Sequence, residues 1–297
     1  MNILITGGTG LIGSKLIKKL SDEHSFSVIS RNEANAKQTL GAHTNVLGSV
    51  ADIKDIGVYD AVINLAGEPI ADKRWTDTQK KIICDSRWDI TTQLVAKINS
   101  SDNPPKTFIS GSAIGFYGRQ GEKVVTEDTS PHKEFTHDLC EKWESISTGV
   151  NSEKTRVAIL RTGVVLAENG GALEKMALPF KLGVGGSLGS GRQYLSWIHL
   201  DDMVNAIEFL LNNENCSGPF NLTAPEPVTN KTFSKQLAKA LSRPCLFFVP
   251  SFVMKIAMGE SSTMLLEGQN VIPDKLIKAG YSFIYPTVSS ALSAIYR

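Results

Sequence analysis

The stretch ITGGTGLIG at residues 5–13 constrains the fold more than any other part of the chain. Its three spaced glycines, Gly7, Gly10 and Gly13, follow a short apolar run and precede a segment of helical period. Glycine permits a tight turn and lets backbone N–H groups approach a phosphate closely, and the N-terminus of the following helix favours negative charge. The spacing therefore predicts a strand, a turn and a helix that together hold the pyrophosphate of a dinucleotide.

Short apolar runs alternate with helical segments through the first half of the chain. The candidate strands are rich in Val, Ile and Leu with little polar alternation, and they cover residues 2–6, 26–30, 60–66, 107–112 and 156–165. The candidate helices cover residues 11–21, about 76–98 and about 136–149. Strands of this composition are covered on both faces, and strand–helix alternation is typical of parallel sheets. The pattern predicts an α/β fold with a doubly wound parallel sheet.

The second half is less regular. Glycines cluster in a loop at residues 183–191, and a helix is predicted to start at Asp201 as its N-cap, with Val204 and Ile207 on its apolar face. We therefore predict a nucleotide-binding domain at residues 1–165 and a smaller, mixed lobe at 166–297, within which the chain can return to the sheet. A crevice for a small-molecule substrate is expected between them, at the carboxyl ends of the strands.

The end of the second candidate strand predicts which dinucleotide is bound. Sites selective for NAD usually place an acidic residue there to bind the ribose 2′-hydroxyl. This chain has Ser30 and Arg31 instead. Because a guanidinium pairs well with a phosphate, these residues predict NADP rather than NAD.

Composition limits the remaining possibilities. The chain has 297 residues and a formal net charge of +1, without a long run of one sign. The net charge gives no electrostatic support for a nucleic-acid or membrane-surface role. The four cysteines are far apart and form no C-x-x-C pair, which argues against a structural metal or a disulfide framework and suggests a reducing, cytoplasmic location. No segment has the roughly 20 apolar residues that span a bilayer.

Several longer motifs carry a family resemblance. They are NLAGEPIADKRWT at 64–76, SGSAIGFYG at 110–118, CEKWE at 140–144, GSGRQYLSWIHLDDM at 189–203 and GPFNLTAPEPVTN at 218–230. With GGTGLIG, they make the chain resemble the extended short-chain dehydrogenase/reductase superfamily. More narrowly, it resembles the atypical epimerase family branch, often labelled nucleoside-diphosphate-sugar epimerase. The resemblance implies a Rossmann fold and a nicotinamide cofactor.

The resemblance also assigns residues to the cofactor. Matched to the family's motifs, the cofactor-binding positions are Gly7, Gly10, Leu11, Ile12, Gly13, Ser30, Arg31, Leu65, Ala66, Gly67, Arg87, Gly163 and Val164. The last two belong to the segment expected along the nicotinamide. Arg87 can equally be a solvated helix arginine, and the 163–164 loop an ordinary strand exit.

The catalytic residues of the superfamily are only partly present. Active members have a serine, a tyrosine and a lysine four residues after the tyrosine, and the lysine lowers the pKa of the phenol. Ser112 matches the serine. If Glu144 matches a glutamate that often follows the lysine by four residues, then Thr136 and Cys140 occupy the tyrosine and lysine positions. The usual proton relay is therefore absent.

Other side chains could take over the proton transfer. A second register keeps Lys142 as the lysine and places Asp138 at the tyrosine position. Tyr117 follows Ser112 closely and is the preferred substitute, although a structural or substrate-lining role is its default in relatives. His137 and Cys140 titrate nearer neutrality. His199 fits a structural motif at a helix start. No metal site is predicted.

The substrate side also departs from the family pattern. Sugar-nucleotide epimerases commonly have an arginine–aspartate pair where this chain has Leu195 and Ser196, and leucine cannot neutralise a diphosphate. Arg192 could reach instead, but a loop cation is the simpler interpretation. Lys73, Arg74 and Trp75 form a second cationic cluster, whose simpler interpretation is a core tryptophan with two solvated cations. Two hypotheses remain: an NADP-dependent oxidoreductase or epimerase for an unknown small molecule, and a non-catalytic NADP-binding sensor or regulatory protein.

Overall fold

The computed structural model describes residues 1–41 and 43–297, which form a three-layer α/β structure with a smaller lobe. The strands are β1 Asn2–Thr6, β2 Ser25–Ile29, β3 Asn45–Leu47, β4 Ala61–Asn64, β5 Thr107–Ala113, β6 Val124–Val125, β7 Arg156–Thr162, β8 Val164–Leu166, β9 Gly186–Leu188, β10 Tyr194–Leu195, β11 Trp197–His199, β12 Gly218–Leu222, β13 Val228–Thr229, β14 Phe247–Val249 and β15 Asn270–Val271. The helices are α1 Leu11–Leu20, α2 Glu33–Leu40, α3 Asp77–Asn99, α4 Phe135–Ser147, α5 Gly171–Lys181, α6 Leu200–Asn212, α7 Asn230–Ala240, α8 Ser251–Met258, α9 Thr263–Leu266, α10 Asp274–Lys278 and α11 Val288–Ile295.

The main sheet has seven strands in the order β3-β2-β1-β4-β5-β7-β12, and every neighbouring pair is parallel. The order reverses between β1 and β4, as in doubly wound nucleotide-binding sheets. The predicted fold class is therefore confirmed. The seventh strand, β12, comes from residues beyond 165, so the chain does return to the sheet after the first part of the smaller lobe.

Alternating side chains of the strands fill a core on each face of the sheet. Ile3 and Ile5 of β1 pack with α1 and α6, whereas Leu4 points to the opposite face. On that second face, Leu94 and Ile98 of α3 are fully buried. This two-residue alternation is the period of a strand, and it explains why the strands read as continuous apolar runs.

The smaller lobe has its own core. Trp197, Phe233, Leu237 and Leu292 are buried there, on elements β11, α7 and α11. Four two-stranded sheets accompany it, pairing β8 with β11, β9 with β14, β10 with β13 and β6 with β15. Within the described parts of the chain, no helix has the length and apolar character needed to cross a membrane.

One predicted helix start is wrong by two residues. His199, and not Asp201, is the N-cap of α6: its ring Nδ1 accepts the Asp201 N–H at 3.1 Å. Burial lowers the pKa of His199, so a neutral ring is available to accept this hydrogen bond. The apolar face of the helix is as predicted, because Val204 and Ile207 are buried.

Candidate functional site

A cleft of about 490 Å³ opens where the sheet order reverses, at the carboxyl ends of β1, β4, β5 and β7. Gly13, Ser112 and Gly163 line it on the sheet side, and Tyr194 and Met264 line it on the side of the smaller lobe. Open α/β sheets bind their ligands at this position. The predicted crevice between sheet and lobe is therefore present.

The glycine turn is shaped by close backbone contacts. Gly7 has a φ of +68°, and a Cβ placed on it would lie 2.6 Å from the carbonyl oxygen of Leu65. A Cβ on Gly13 would overlap the Gly7 carbonyl oxygen. Gly10 donates its N–H to that same oxygen at 3.0 Å and precedes α1 without a side-chain cap. The first-turn amides of α1 therefore stand at the cleft with no capping side chain, an arrangement that suits an anion.

Most of the predicted cofactor positions meet at the cleft. The residues that line it are Gly7, Gly10, Leu11, Ile12, Gly13, Leu65, Arg87, Gly163 and Val164. Ala66 and Gly67 are not part of this lining, and Gly67 is exposed. The Ala66 N–H donates to Thr6 Oγ1 at 3.2 Å, and a Cβ on Gly67 would lie 2.9 Å from the guanidinium carbon of Arg87. Gly67 therefore lies next to a residue of the lining.

Arg87 is a fixed cation in the cleft wall, not a solvated one. Its guanidinium donates to the carbonyl oxygens of Ile83 and Glu68, both at 2.9 Å. It also packs over the ring of Trp143. Burial lowers the pKa of Arg87 from its ordinary value, but an arginine stays charged at neutral pH.

Ser30 and Arg31 lie outside the cleft lining, directly after β2 and beside the start of α2. The Ser30 hydroxyl donates to the carbonyl oxygen of Asn32 at 3.1 Å, and Asn32 caps α2 by accepting the N–H of Asn35. The Arg31 side chain is exposed. The position fits the outer end of an extended dinucleotide, because β2 neighbours β1 at the carboxyl edge of the sheet.

Helix α4 has the first of the two registers considered from the sequence. Thr136 and Cys140 line the cleft, whereas Asp138 and Lys142 are exposed on the other side. The Thr136 hydroxyl donates to the carboxylate of Glu134 at 3.0 Å. Burial raises the pKa of the Cys140 thiol to about 12. Neither side chain at the two relay positions is therefore a ready proton donor or acceptor near neutral pH.

A buried network extends behind Ser112. Its hydroxyl donates to Glu144 at 2.6 Å, and Glu144 pairs with Arg161 through two hydrogen bonds of 2.9 and 2.8 Å. Burial alone would lower the pKa of Arg161, but its pairing with Glu144 outweighs this and raises it. Because an ionised carboxylate only accepts, the Ser112 proton points at Glu144. Its oxygen is left to accept a hydrogen bond from a ligand in the cleft.

Tyr117 belongs to that network and not to the cleft. It is fully buried. Its hydroxyl donates to Asn221 at 2.6 Å and accepts from Arg161 at 3.0 Å. Burial raises the pKa of Tyr117 to about 12. We therefore revise the catalytic role expected for Tyr117: the structure gives it the contacts of a structural residue that ties β12 to the segment after β5.

The side chains of α4 that come close enough to bind a metal ion together are not part of the cleft. The His137 ring is buried, and its Nδ1 lies 2.7 Å from the carbonyl oxygen of Phe116. His137, Asp138 and Glu141 come close enough to share a metal ion, but the two carboxylates are exposed, and such groups are common without one. They lie outside the cleft lining.

Three titratable side chains of the cleft were not anticipated from the sequence: Tyr194, Glu134 and Glu267. The two carboxylates belong to opposite sides of the cleft, and Arg119 pairs with both, at 3.2 Å to Glu134 and 3.5 Å to Glu267. Tyr194 lies on β10, in the segment GRQYLSW. In this segment the family resemblance drew attention only to the two residues after Tyr194, which are Leu195 and Ser196. The position of Tyr194 next to them was the sequence signal that could have indicated it.

Three residues bear on the departure from the family pattern on the substrate side, and each lies where the sequence leads us to expect it. Leu195 lines the cleft. Ser196 is bonded to backbone, because its hydroxyl donates to Gln269 at 2.7 Å. Arg192 is exposed and lies outside the cleft lining. Of the described residues that line the cleft, only Arg87 is basic, and it is held by the backbone carbonyl oxygens of Ile83 and Glu68.

The simpler interpretation of the second cationic cluster holds for its tryptophan, whereas both cations have protein partners. Trp75 is buried and donates its ring N–H to the Ile70 carbonyl oxygen at 2.8 Å. Arg74 donates to backbone carbonyls of α8, and Lys73 pairs with Glu68 at 3.4 Å. The cluster supports the loop beside the cleft and does not line it.

Comparison with known proteins identifies the family of the chain. The pattern of the NAD dependent epimerase/dehydratase family matches residues 3–223, and a domain of unknown function, DUF1731, matches residues 249–295. The chain therefore belongs to the NAD dependent epimerase/dehydratase family.

Individual relatives are similar over nearly the whole chain. The epimerase family protein SDR39U1 homolog, chloroplastic, of Arabidopsis thaliana is 39% identical, covering 100% of this chain and 87% of that protein. An epimerase family protein of Staphylococcus haemolyticus is 38% identical, covering 97% of this chain and 96% of the relative. A crystal structure of human epimerase family protein SDR39U1 with NADPH has a TM-score of 0.91 at 32% identity, covering 100% and 99%. UDP-glucuronic acid 4-epimerase from Bacillus cereus, at 18% identity and a TM-score of 0.79, shares the fold.

Proposed function

We propose that this protein binds NADP(H) in the cleft and is an oxidoreductase or epimerase that acts on an uncharged small molecule. The observation that carries the proposal is the turn from Gly7 to Gly13, where close backbone contacts exclude side chains and present uncapped helix amides. The structure of the human relative with NADPH, at a TM-score of 0.91, supports it. When bound, the nicotinamide would supply or accept hydride.

The chain's own residues have distinct tasks in holding the cofactor. The α1 amides would bind the pyrophosphate, and Arg31 would pair with the 2′-phosphate beyond β2. Arg87 offers a held cation at the cleft wall, fixed by the carbonyls of Ile83 and Glu68. Gly163 and Val164 would lie along the nicotinamide side. The shape of the turn fits a bound pyrophosphate. A Cβ on Gly7 would lie 2.6 Å from the Leu65 carbonyl oxygen, so the turn has no room for a side chain and its backbone is open to a close approach by the cofactor.

Proton transfer would rely on Tyr194 rather than on the superfamily's tyrosine. Tyr194 lines the cleft from the smaller lobe, and Ser112 lines it from the sheet. Ser112 would orient the ligand by accepting a hydrogen bond, since its own proton is held by Glu144 at 2.6 Å. A substrate with a hydroxyl or N–H donor at this point fits best.

The charges of the cleft favour an uncharged substrate. Leu195 stands where a diphosphate-binding arginine would be needed, and Arg119, the cation near the two cleft carboxylates, already pairs with Glu134 and Glu267. Ile70, Leu139 and Met264 add an apolar lining. A nucleotide sugar is therefore a poor fit despite the family's usual label.

Cofactor binding is tested by titrating the protein with NADPH and NADH and following fluorescence. We expect NADPH to bind at least about tenfold more tightly, the energy of one charge-assisted contact. Equal affinities for the two cofactors would contradict the assignment of Arg31.

A non-catalytic NADPH sensor is the second candidate. It is favoured by one observation: the two relay positions of α4 hold Thr136 and the Cys140 thiol, whose pKa burial raises to about 12. The two candidates separate in an assay with 4,4-dideuterated NADPH and a panel of aldehydes and ketones, whose carbonyl carbons can accept the deuteride. Transfer of deuterium that is lost in Tyr194→Phe supports the enzyme, whereas tight cofactor binding with no transfer to any compound supports the sensor.

We also propose a reducing compartment such as the cytoplasm. The four cysteines, Cys84, Cys140, Cys216 and Cys245, are all free thiols, three of them buried. An oxidising compartment would be expected to use some of them in disulfides.

A further inference from the structure

The smaller lobe has an exposed apolar face. Of the sixteen exposed large hydrophobic side chains among the described residues, nine fall in residues 178–184 and 246–256. Seven of the nine are at least 52% accessible: Leu178, Leu182, Leu246, Phe247, Phe248, Phe252 and Ile256. We call the nine residues the apolar face. Scattered exposed hydrophobics are normal, but a concentration of this kind marks an interaction surface.

The two segments of the apolar face are adjacent in space. β14 pairs in parallel with β9, with Phe247 opposite Gly186. The Phe247 N–H donates to the Gly185 carbonyl oxygen, which places Leu246 and Phe247 beside the turn that holds Leu182. Helix α8 follows β14 directly, and none of its eight residues is buried. An exposed edge strand and an exposed helix therefore form one continuous surface.

Charge is segregated onto the same part of the chain. Residues 175–200 and 227–259 contain eight Lys and Arg and no Asp or Glu. Subtracting them from the totals of 31 basic and 30 acidic residues leaves 23 basic and 30 acidic elsewhere. Lys181, Arg243 and Lys255 are exposed within or next to the apolar face. The net charge of +1 thus conceals a basic region on an otherwise acidic protein.

Two of the four acidic side chains that border these segments are already engaged. Glu174 accepts the N–H of Gly170 at 2.9 Å, and Glu260 pairs with Lys80 at 2.6 Å. The basic side chains of Arg243 and Lys255 therefore face a region without nearby compensating carboxylates from their own segment. Such a region attracts an anionic surface.

We propose that the apolar face docks onto the surface of an anionic lipid bilayer. Phenylalanine, leucine and isoleucine would enter the boundary between headgroups and acyl chains, while lysine and arginine would pair with lipid phosphates. A second copy of this chain is the less suitable occupant, because two basic faces repel each other. The total charge of the sequence predicts no membrane-surface role, because it averages over the two regions.

The experiment is co-sedimentation of the full-length protein with vesicles of phosphatidylcholine alone or mixed with phosphatidylglycerol. We expect binding to the mixed vesicles only, weakened by salt, because screening shortens the range of the attraction. The double variant Phe247→Glu/Phe248→Glu should bind the mixed vesicles at least about tenfold more weakly than the wild type. Val58→Glu is the matched control: Val58 is 56% exposed outside the basic segments, and its replacement should leave binding unchanged. Circular dichroism verifies that each variant is folded.

Several outcomes overturn the proposal. The first is that the wild type does not bind the mixed vesicles. The second is that the wild type and the folded double variant bind them equally. A third is a wild-type dimer in size-exclusion chromatography that the double variant converts to a monomer, without any vesicle binding; this assigns the face to a second copy. Capture of the wild type by a polyglutamate column together with no vesicle binding assigns it to an acidic protein partner.

Discussion

The two sides of the cleft are built by different means. The cofactor side is made of backbone: Gly7, Gly10 and Gly13 bring chain segments together at distances that a single methyl group would disturb. The substrate side is made of side chains, and its proton-relay positions hold Thr136 and Cys140. A backbone-made site depends on the fold and changes little while the fold is kept. A site made of side chains can lose its chemistry by substitutions that leave the fold intact.

The buried Glu144–Arg161 pair shows how the substrate side is supported. It holds Ser112 through the carboxylate and Tyr117 through the guanidinium. This part of the site therefore depends on one desolvated ion pair, whereas the cofactor side depends on many backbone contacts. The experiments below test that difference, starting with the largest expected effect.

Arg161→Met should be the most damaging change. It leaves the Glu144 carboxylate buried without its partner, which costs about 3–5 kcal/mol of the free energy of unfolding. Chemical denaturation measures the loss. The double variant Glu144→Gln/Arg161→Met removes both charges and should recover part of it; a single variant as stable as the wild type would contradict the account of the network.

Gly13→Ala should abolish tight NADPH binding. The added methyl group overlaps the Gly7 carbonyl oxygen, so the turn must open, and we expect a loss of about 100-fold, or roughly 2.7 kcal/mol. Gly10→Ala is the control, since its Cβ would meet only the Gly7 oxygen at 3.2 Å and should weaken binding less. A larger loss for Gly10→Ala than for Gly13→Ala would show that the pyrophosphate does not bind at this turn. Fluorescence titration gives both affinities.

Arg31→Asp should reverse the preference for NADPH with little effect on NADH. A lost charge-assisted contact is worth about 1.5–3 kcal/mol, or roughly 10- to 150-fold. Arg192→Asp changes another exposed arginine by the same charge and should alter neither affinity. If both variants behave alike, the effect comes from net charge and not from a 2′-phosphate site.

The smallest effect concerns Cys140. Its thiol has a pKa raised by burial to about 12, so iodoacetamide at pH 8 should modify the partly exposed Cys245 and spare Cys140; mass spectrometry identifies the labelled residue. The raised pKa of Cys140 also determines the direction in which stability changes with pH. The burial of the neutral thiol stabilises the folded state fully below the ordinary cysteine pKa, near 8.5, and this contribution is lost as pH rises toward 12. Rapid labelling of Cys140 at pH 8 would disprove its burial.

The sequence predicts the sheet well because its signals are local. β1 has the predicted bounds, β2 lies within one residue of its predicted run, and α1 starts at residue 11 as predicted. The run at 156–165 divides at Gly163, where the chain leaves the main sheet for a pairing of β8 with β11. That division depends on a partner strand more than thirty residues away, which no local pattern contains.

The side-chain site was predicted less completely for the same reason. Tyr117 follows Ser112 by only five residues, but its hydroxyl donates to Asn221, 104 residues later, and is buried outside the cleft. Tyr194 enters the cleft because β10 pairs with β13, an arrangement set in the smaller lobe. The register of α4 was accessible, because Thr136, Cys140 and Glu144 share the four-residue spacing of one helix face.

The late return of β12 to the sheet has a consequence for synthesis of the protein on the ribosome. β12 covers the edge of β7 that residues 1–165 alone would leave open, and Asn221 on β12 satisfies the Tyr117 hydroxyl. A nascent chain therefore cannot complete its first domain until residue 222 has emerged. During that interval an unpaired parallel strand is exposed, so we expect a translational pause placed shortly before residue 218 to increase aggregation, and one placed after residue 250 to have no such effect.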